Sequence, residues 1–142
     1  MKRNAAAVWE GGLKTGKGTI STESRALSNA PYSFGTRFEQ AKGTNPEELI
    51  AAAHAGCYSM ALSLMLGESD IEPERIDTTA HVTIEADDSG FSITAVHLEV
   101  FAKIAGMDND SFQKAANAAK EGCPVSKVLN AKITLDAKLR NE

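Results

Sequence analysis

Thr44-Asn45-Pro46-Glu47-Glu48-Leu49-Ile50-Ala51-Ala52-Ala53-His54-Ala55-Gly56-Cys57-Tyr58-Ser59-Met60-Ala61-Leu62-Ser63-Leu64-Met65-Leu66-Gly67 is the stretch from which the rest of the chain can be read. Asn45 can cap a helix, Pro46 fits the first helical position, and Glu47 and Glu48 favour the positive end of the helix dipole. Residues 49–66 then contain no Asp, Glu, Lys or Arg. A helix that is apolar on nearly every side is expected to be buried on nearly every side. At about 1.5 Å per residue, a helix over 46–66 is roughly 30 Å long and forms a spine for a small domain. His54, Ser59 and Ser63 and the many alanines argue against a membrane span, and no apolar run is expected to reach the roughly 20 residues one needs.

Upstream, residues 5–40 read as extended structure punctuated by turns. Gly11-Gly12 and Gly16-Lys17-Gly18 separate Ala6-Ala7-Val8-Trp9 from Thr19-Ile20-Ser21-Thr22. Phe34-Gly35-Thr36-Arg37-Phe38 reads as a third strand, with Phe34, Thr36 and Phe38 on one face and Arg37 on the other. Downstream, runs at 77–85 and 91–101 alternate around Asp87-Asp88-Ser89-Gly90, a hairpin signal. In the second run Phe91, Ile93, Ala95 and His97 alternate with Ser92, Thr94, Val96 and Leu98, so its two faces mix. A helix starts at Asn109-Asp110-Ser111 and runs to about Glu121, with Gly122 ending it. A short helix follows Cys123-Pro124, and a strictly alternating strand covers 132–139. The order βββ-α-ββ-α-α-β is α+β, with antiparallel sheets and a long central buried helix. No linker divides the chain, so a single domain over 1–142 is expected. One small sheet offers too little cover for a helix without charges, so an obligate homodimer is expected, with helix 46–66 near its two-fold axis.

The 142 residues carry 15 Lys+Arg against 19 Asp+Glu, a net charge of -4. So mildly acidic a chain has no global attraction for phosphate backbones, and no nucleic-acid partner is expected. The apolar stretch after Lys2-Arg3 ends at Trp9-Glu10 and is shorter than the about 7–15 residues of a secretory signal. The cytoplasm is therefore the expected compartment. Thiols there stay reduced, and a disulfide is typically transient and catalytic.

That makes the two cysteines informative. Cys57 lies mid-helix, and its ordinary reading is a small buried hydrophobe. Cys123 precedes Pro124 and reads as an N-cap, where a thiol would point at free backbone N–H groups and ionise more easily. A zinc site built from both cysteines and two of His54, His81 and His97 has no usual ligand spacing. Neither a Gly-x-Ser-x-Gly elbow nor a Gly-rich phosphate loop is present. Two-thiol redox chemistry is the reaction for which every part is at hand.

Thr36-Arg37-Phe38-Glu39, Gly43-Thr44-Asn45-Pro46-Glu47-Glu48-Leu49, Ala52-Ala53-His54-Ala55-Gly56-Cys57 and Gly122-Cys123-Pro124-Val125-Ser126 resemble the OsmC/Ohr family of organic hydroperoxide reductases. Trp9-Glu10-Gly11 and Lys17-Gly18-Thr19-Ile20-Ser21-Thr22-Glu23-Ser24 resemble its OsmC branch. The likeness runs in order through essentially the whole chain. It implies a thiol peroxidase that needs no metal or flavin cofactor, with Cys57 peroxidatic, Cys123 resolving, and Arg37 and Glu47 supporting. It also implies an intertwined homodimer with sites at the subunit interface, an organic hydroperoxide as substrate, and an external dithiol as reductant, for which it suggests dihydrolipoyl groups on carrier proteins.

In such a reaction a thiolate attacks the distal peroxide oxygen and becomes a sulfenic acid, and the second thiol then closes a disulfide. A free cysteine of pKa about 8.5 is a few per cent thiolate at pH 7, so lowering that pKa gains at most about thirtyfold. Enzymes commonly supply at least about a millionfold, so ionisation is the smaller contribution. Arg37 can align the peroxide and stabilise the departing alkoxide, with Glu47 orienting its guanidinium. Glu48 reads as a capping-box partner of Asn45. Glu47 and Cys57 are about 15 Å apart along a straight helix, so one arginine serves both only if the helix breaks or the partner's helix crosses over. His54 lies three residues before Cys57, within reach as a base, although a buried, hydrogen-bonded histidine is the more ordinary reading. Phe34, Phe38, Tyr58 and Met60 could line an alkyl pocket or simply form core. Two further readings stay open on the residues alone: a thiol redox sensor, and a ligand-binding domain with structural cysteines.

Overall fold

A computed structural model describes residues 1–140. It divides into two compact units, Met1–Leu49 and Ile50–Glu142, and the boundary falls inside a continuous helix. Asn141 and Glu142, the end of the expected 1–142 domain, lie outside the described residues.

The first unit opens with β1 (Ala5–Glu10), β2 (Lys17–Thr22) and β3 (Ala30–Tyr32), an antiparallel meander in the order β1-β2-β3. Gly18 lies inside β2, paired with both Trp9 and Tyr32, and not in the turn its sequence suggested. A Cβ there would stand 2.5 Å from the Tyr32 ring and 2.8 Å from the Trp9 ring. Only glycine lets the two rings approach each other, at 5.4 Å between centroids.

The stretch after β3 departs from expectation. Phe34–Phe38 is a helical turn, α1, and not a strand. Ser33 caps it, accepting from the Thr36 N–H at 3.2 Å, while the Thr36 hydroxyl accepts from the Ser33 N–H at 2.8 Å. This reciprocal pair closes one turn locally and outweighs the β propensity of an alternating five-residue run. Phe34 and Phe38 then meet as helical neighbours, with ring centroids 5.0 Å apart. Arg37 lies over the Phe38 ring at 5.3 Å, whereas a strand would have pointed it away.

The long helix, α2 (Pro46–Gly67), forms where the sequence places it. Asn45 caps it, its Oδ1 accepting the Glu48 N–H at 2.8 Å. The Glu48 carboxylate does not complete a capping box with Asn45, because Oε2 accepts from the Thr44 hydroxyl at 2.8 Å. By length and composition α2 would suffice to cross a bilayer, contrary to the sequence expectation. It instead buries the stripe His54, Tyr58, Leu62 and Leu66, spaced one helical turn apart, within the second unit. Another face of the helix is left open within one chain: Met60 is 77% and Leu64 63% exposed.

The second unit continues with β4 (Arg75–Asp87) and β5 (Gly90–Lys103), then α3 (Asn109–Gly122), α4 (Pro124–Val128) and β6 (Lys132–Arg140). β4 and β5 form the expected antiparallel hairpin, and Asp87 Oδ1 accepts the Ser89 N–H in its turn. Thr83 pairs with Ala95 but Ile84 with Ile93, so Thr94 is an extra residue on β5. This bulge explains the mixed faces of that run: Phe91 and Ile93 belong to the same side as Val96, Leu98 and Val100. β6 pairs parallel with β5, so this sheet is mixed, not wholly antiparallel. The two helices between β5 and β6 carry the chain back to the starting end, as a parallel crossover requires.

The core lies in this unit, built from Tyr58, Leu62 and Leu66 of α2, Val96, Leu98, Val100 and Ala102 of β5, Phe112, Ala116 and Ala119 of α3, Ile104 and Ala137. The buried Tyr58 hydroxyl donates to the Ala116 carbonyl at 2.9 Å, joining α2 to α3. Tyr58→Phe removes this bond while the carbonyl keeps its place in the α3 ladder, and should destabilise the protein by about 0.5–1.5 kcal/mol in urea unfolding, with little change in the slope.

Candidate active site

The four residues singled out in the sequence form two pairs, one in each unit. In the first, Arg37 sits in the last turn of α1 and Glu47 in the first turn of α2. Arg37 Nε and Nη2 both donate to Glu47 Oε1, at 2.9 and 2.8 Å. Two guanidinium N–H groups therefore converge on one carboxylate oxygen, and Glu47 Oε2 is buried with no partner. This differs from the expected fork, in which each carboxylate oxygen would take one donor. Asn45 fixes the pairing from below. Besides capping α2, its Nδ2 donates to the Thr36 carbonyl at 3.0 Å, tying α1 to the start of the long helix. Arg37 lines a cavity of about 80 Å³ together with Trp9, Leu13, Tyr32, Ser33, Phe34 and Phe38. Phe34 and Phe38 thus do line an apolar recess. Tyr58 is core and Met60 is surface in a single chain.

In the second pair, Cys57 Sγ lies 2.9 Å from Cys123 Sγ, both as free thiols. Cys57 is half-buried in mid-α2 and Cys123 is wholly buried at the junction of α3 and α4. Cys123 occupies the N-cap of α4 with Pro124 behind it, as expected, but its side chain makes no cap hydrogen bond. The backbone N–H of Val125, in the first turn of α4, is instead directed at Cys57. The exposed end of the short helix therefore serves the thiol on α2 and not the thiol that caps it. Burial pushes the Cys57 thiol up, proximity to Cys123 adds to this, and the Val125 N–H pulls it back.

His54 is wholly buried, and its Nε2 shares a 2.7 Å hydrogen bond with Ser126 Oγ. Burial lowers its pKa, so the ring is neutral at pH 7. The role of Ser126 was not read from the sequence, although a signal was there: His54 and Cys57, like Cys123 and Ser126, are three residues apart on segments that had to meet. His81 and His97 stack across β4 and β5 with ring centroids 6.2 Å apart. Among the described residues, no three His, Cys, Asp or Glu side chains are grouped to hold a metal ion.

Residues 39–138 match the OsmC-like protein family. The chain belongs to the OsmC family. It is 55% identical over 141 residues, 99% of each chain, to Peroxiredoxin OsmC of Escherichia coli (strain K12). It is 35% identical over 99 residues to the Organic hydroperoxide resistance protein OhrB of Bacillus subtilis (strain 168), covering 69% of this chain and 71% of that one. The crystal structure of OhrB of Bacillus subtilis matches this OsmC-family chain with a TM-score of 0.74 at 31% identity, over 95% of this chain and 98% of that chain.

The raised Cys57 thiol has a measurable consequence. The folded protein holds Cys57 protonated to a higher pH than the unfolded chain does, so the associated stability is whole below about pH 8.5. It is lost as the pH rises through the folded value. Reduced protein should therefore melt at falling temperature between pH 8 and 10, and Cys57→Ala should lose part of that slope. Equal slopes in calorimetric scans would remove the thiol as the cause.

Proposed function

We propose that this peroxidase reduces organic hydroperoxides to alcohols, and hydrogen peroxide less well, in defence against oxidative stress. The observation that carries the reading is the 2.9 Å approach of Cys57 and Cys123, two free thiols poised to close a disulfide. The Cys57 thiolate attacks the distal oxygen of the peroxide, the O–O bond breaks, and the alkoxide leaves with a proton as alcohol. Cys57 is then a sulfenic acid. The Cys123 thiol displaces its hydroxyl as water, forming a disulfide that an external dithiol reduces.

Within one chain only the Val125 N–H acts to lower the Cys57 pKa, and even full ionisation would gain no more than about thirtyfold. The rate must therefore come chiefly from what meets the peroxide. Arg37 supplies fixed N–H donors for the peroxide and departing alkoxide, and Glu47 holds the guanidinium edge-on. The aromatic recess beside Arg37 suits an alkyl substituent and gives organic peroxides their advantage. Glu47 and Cys57 are ten residues apart in the sequence, about 15 Å along a straight helix. Each site therefore draws Cys57 and Cys123 from one chain and Arg37 and Glu47 from its partner, in an intertwined homodimer. The exposed Met60 and Leu64 face supports this, because a second copy of the same charge-free helix is a fitting cover. The two units of each chain act as one functional domain over 1–142. Free thiols and the need for a dithiol fit a reducing cytoplasm, with dihydrolipoyl groups on carrier proteins as the reductant.

Reduced protein mixed with cumene hydroperoxide and excess dithiol should consume many equivalents of peroxide. Cys57→Ser should abolish turnover, Cys123→Ser should accumulate a trappable sulfenic acid, and Arg37→Lys should lower kcat/KM by about 10²–10³. A single slow equivalent of oxidation without turnover would reject the enzyme and leave a sensor. Separately, Leu64→Glu should yield a monomer in sedimentation that has lost peroxidase activity. A folded monomer with full activity would reject the shared site.

A further inference from the structure

We propose that His54 and Ser126 form a latch that positions the resolving cysteine, so that the part-buried hydrogen bond between them sets the rate at which the disulfide closes. The inference rests on the two-cysteine reaction proposed above and names residues outside its four site residues.

α4 is short and only partly covered. It is five residues long and none of them is buried, with Val128 77% exposed. Among the described residues, the side-chain hydrogen bonds from Cys123 and α4 to α2 are the sulfur contact at 2.9 Å and the His54–Ser126 bond at 2.7 Å. These are two rungs between the same two segments. His54 precedes Cys57 by three residues and Ser126 follows Cys123 by three, so the segments run antiparallel and the rungs lie one helical turn apart. Val125, whose N–H is directed at Cys57, lies between Cys123 and Ser126. Fixing Ser126 thus fixes both the reach of Cys123 and the amide that faces Cys57.

His54 is a poor choice if stability is its only purpose. Its Nδ1 is buried with no partner. An aliphatic side chain of similar size would avoid the cost of that orphaned nitrogen. What the imidazole adds is a rigid, neutral anchor at Nε2 for a hydroxyl on a weakly packed helix. Closure of the disulfide requires the Cys123 sulfur to attack the Cys57 sulfur as the S–O bond breaks. The hydroxyl leaves with the Cys123 proton as water. An in-line approach of this kind is sensitive to displacements well under 1 Å. His54 and Ser126 act through Cys123 and are positioning residues.

The test separates the two chemical steps in a single turnover. Reduced full-length protein is mixed with cumene hydroperoxide, with the sulfenic acid trapped by dimedone at successive times and the disulfide followed by thiol loss. The ratio of condensation rate to sulfenic acid formation rate should fall about tenfold in Ser126→Ala and, independently, in His54→Leu. It should recover in Ser126→Thr, which keeps the hydroxyl, and in His54→Gln, whose amide nitrogen stands near the place of Nε2. The double variant Ser126→Ala/His54→Leu should be no slower than either single one, since one bond is lost only once. His54→Leu should also melt no lower than wild type while condensing more slowly, which a merely structural role would not produce. A wild-type ratio in both single variants, or additive losses in the double variant, would overturn the latch. Wild type that forms no disulfide would reject the two-cysteine reaction itself.

Discussion

Burial of a single stripe of α2 organises the larger unit. His54, Tyr58, Leu62 and Leu66 go inside together: His54 bonds α4, Tyr58 bonds α3, and Leu62 and Leu66 join the core cluster that includes β5. Because these residues recur every fourth position, the helix has one rotational setting that buries all of them. That setting also determines where Cys57 stands, one position before Tyr58 and only half-buried. The Cys57 thiol thus borders the core without belonging to it. The same packing that builds the unit brings the thiol to the junction of α3 and α4 and supplies its neighbours.

The chemistry follows from an imbalance in that placement. Burial and a second sulfur disfavour the Cys57 thiolate, and one backbone N–H favours it. Within one chain, then, the surroundings of Cys57 do not by themselves favour the thiolate. In the proposed reaction the burden falls on donors that meet the peroxide. Arg37, the group proposed for that role, is paired with Glu47 and stacked over the Phe38 ring in the absence of any substrate.

Much of this was legible in the amino-acid sequence, for identifiable reasons. α2 announced itself through Asn45-Pro46 and eighteen residues without a charged Asp, Glu, Lys or Arg, and the β4–β5 turn through Asp87-Asp88-Ser89-Gly90. The pairing of Cys57 with Cys123 could be suspected because the chain has only two cysteines. Three features were hidden. Phe34–Phe38 alternates like a strand, and only the Ser33–Thr36 side-chain exchange reveals a helical turn. β6 looks the same in parallel or antiparallel pairing, since alternation reports faces and not direction. The Val125 N–H carries no residue-type signal at all, being backbone, and so the group that faces Cys57 was assigned to Cys123 instead.

The Thr94 bulge reaches beyond the strand that contains it. β4 alternates without interruption, so it acts as a phase reference along the whole hairpin, while β5 is written in two phases that the extra residue brings into step. Excising Thr94 would leave the turn at 87–90 and the core at Val96, Leu98 and Val100 demanding registers one residue apart. Only one demand could be met. Either the tip of the hairpin would turn its isoleucines outward, or the strand would slide and eject its core valines. The fold therefore tolerates substitution at Thr94 far more readily than deletion, because what matters there is a count of backbone units, independent of the side chain attached.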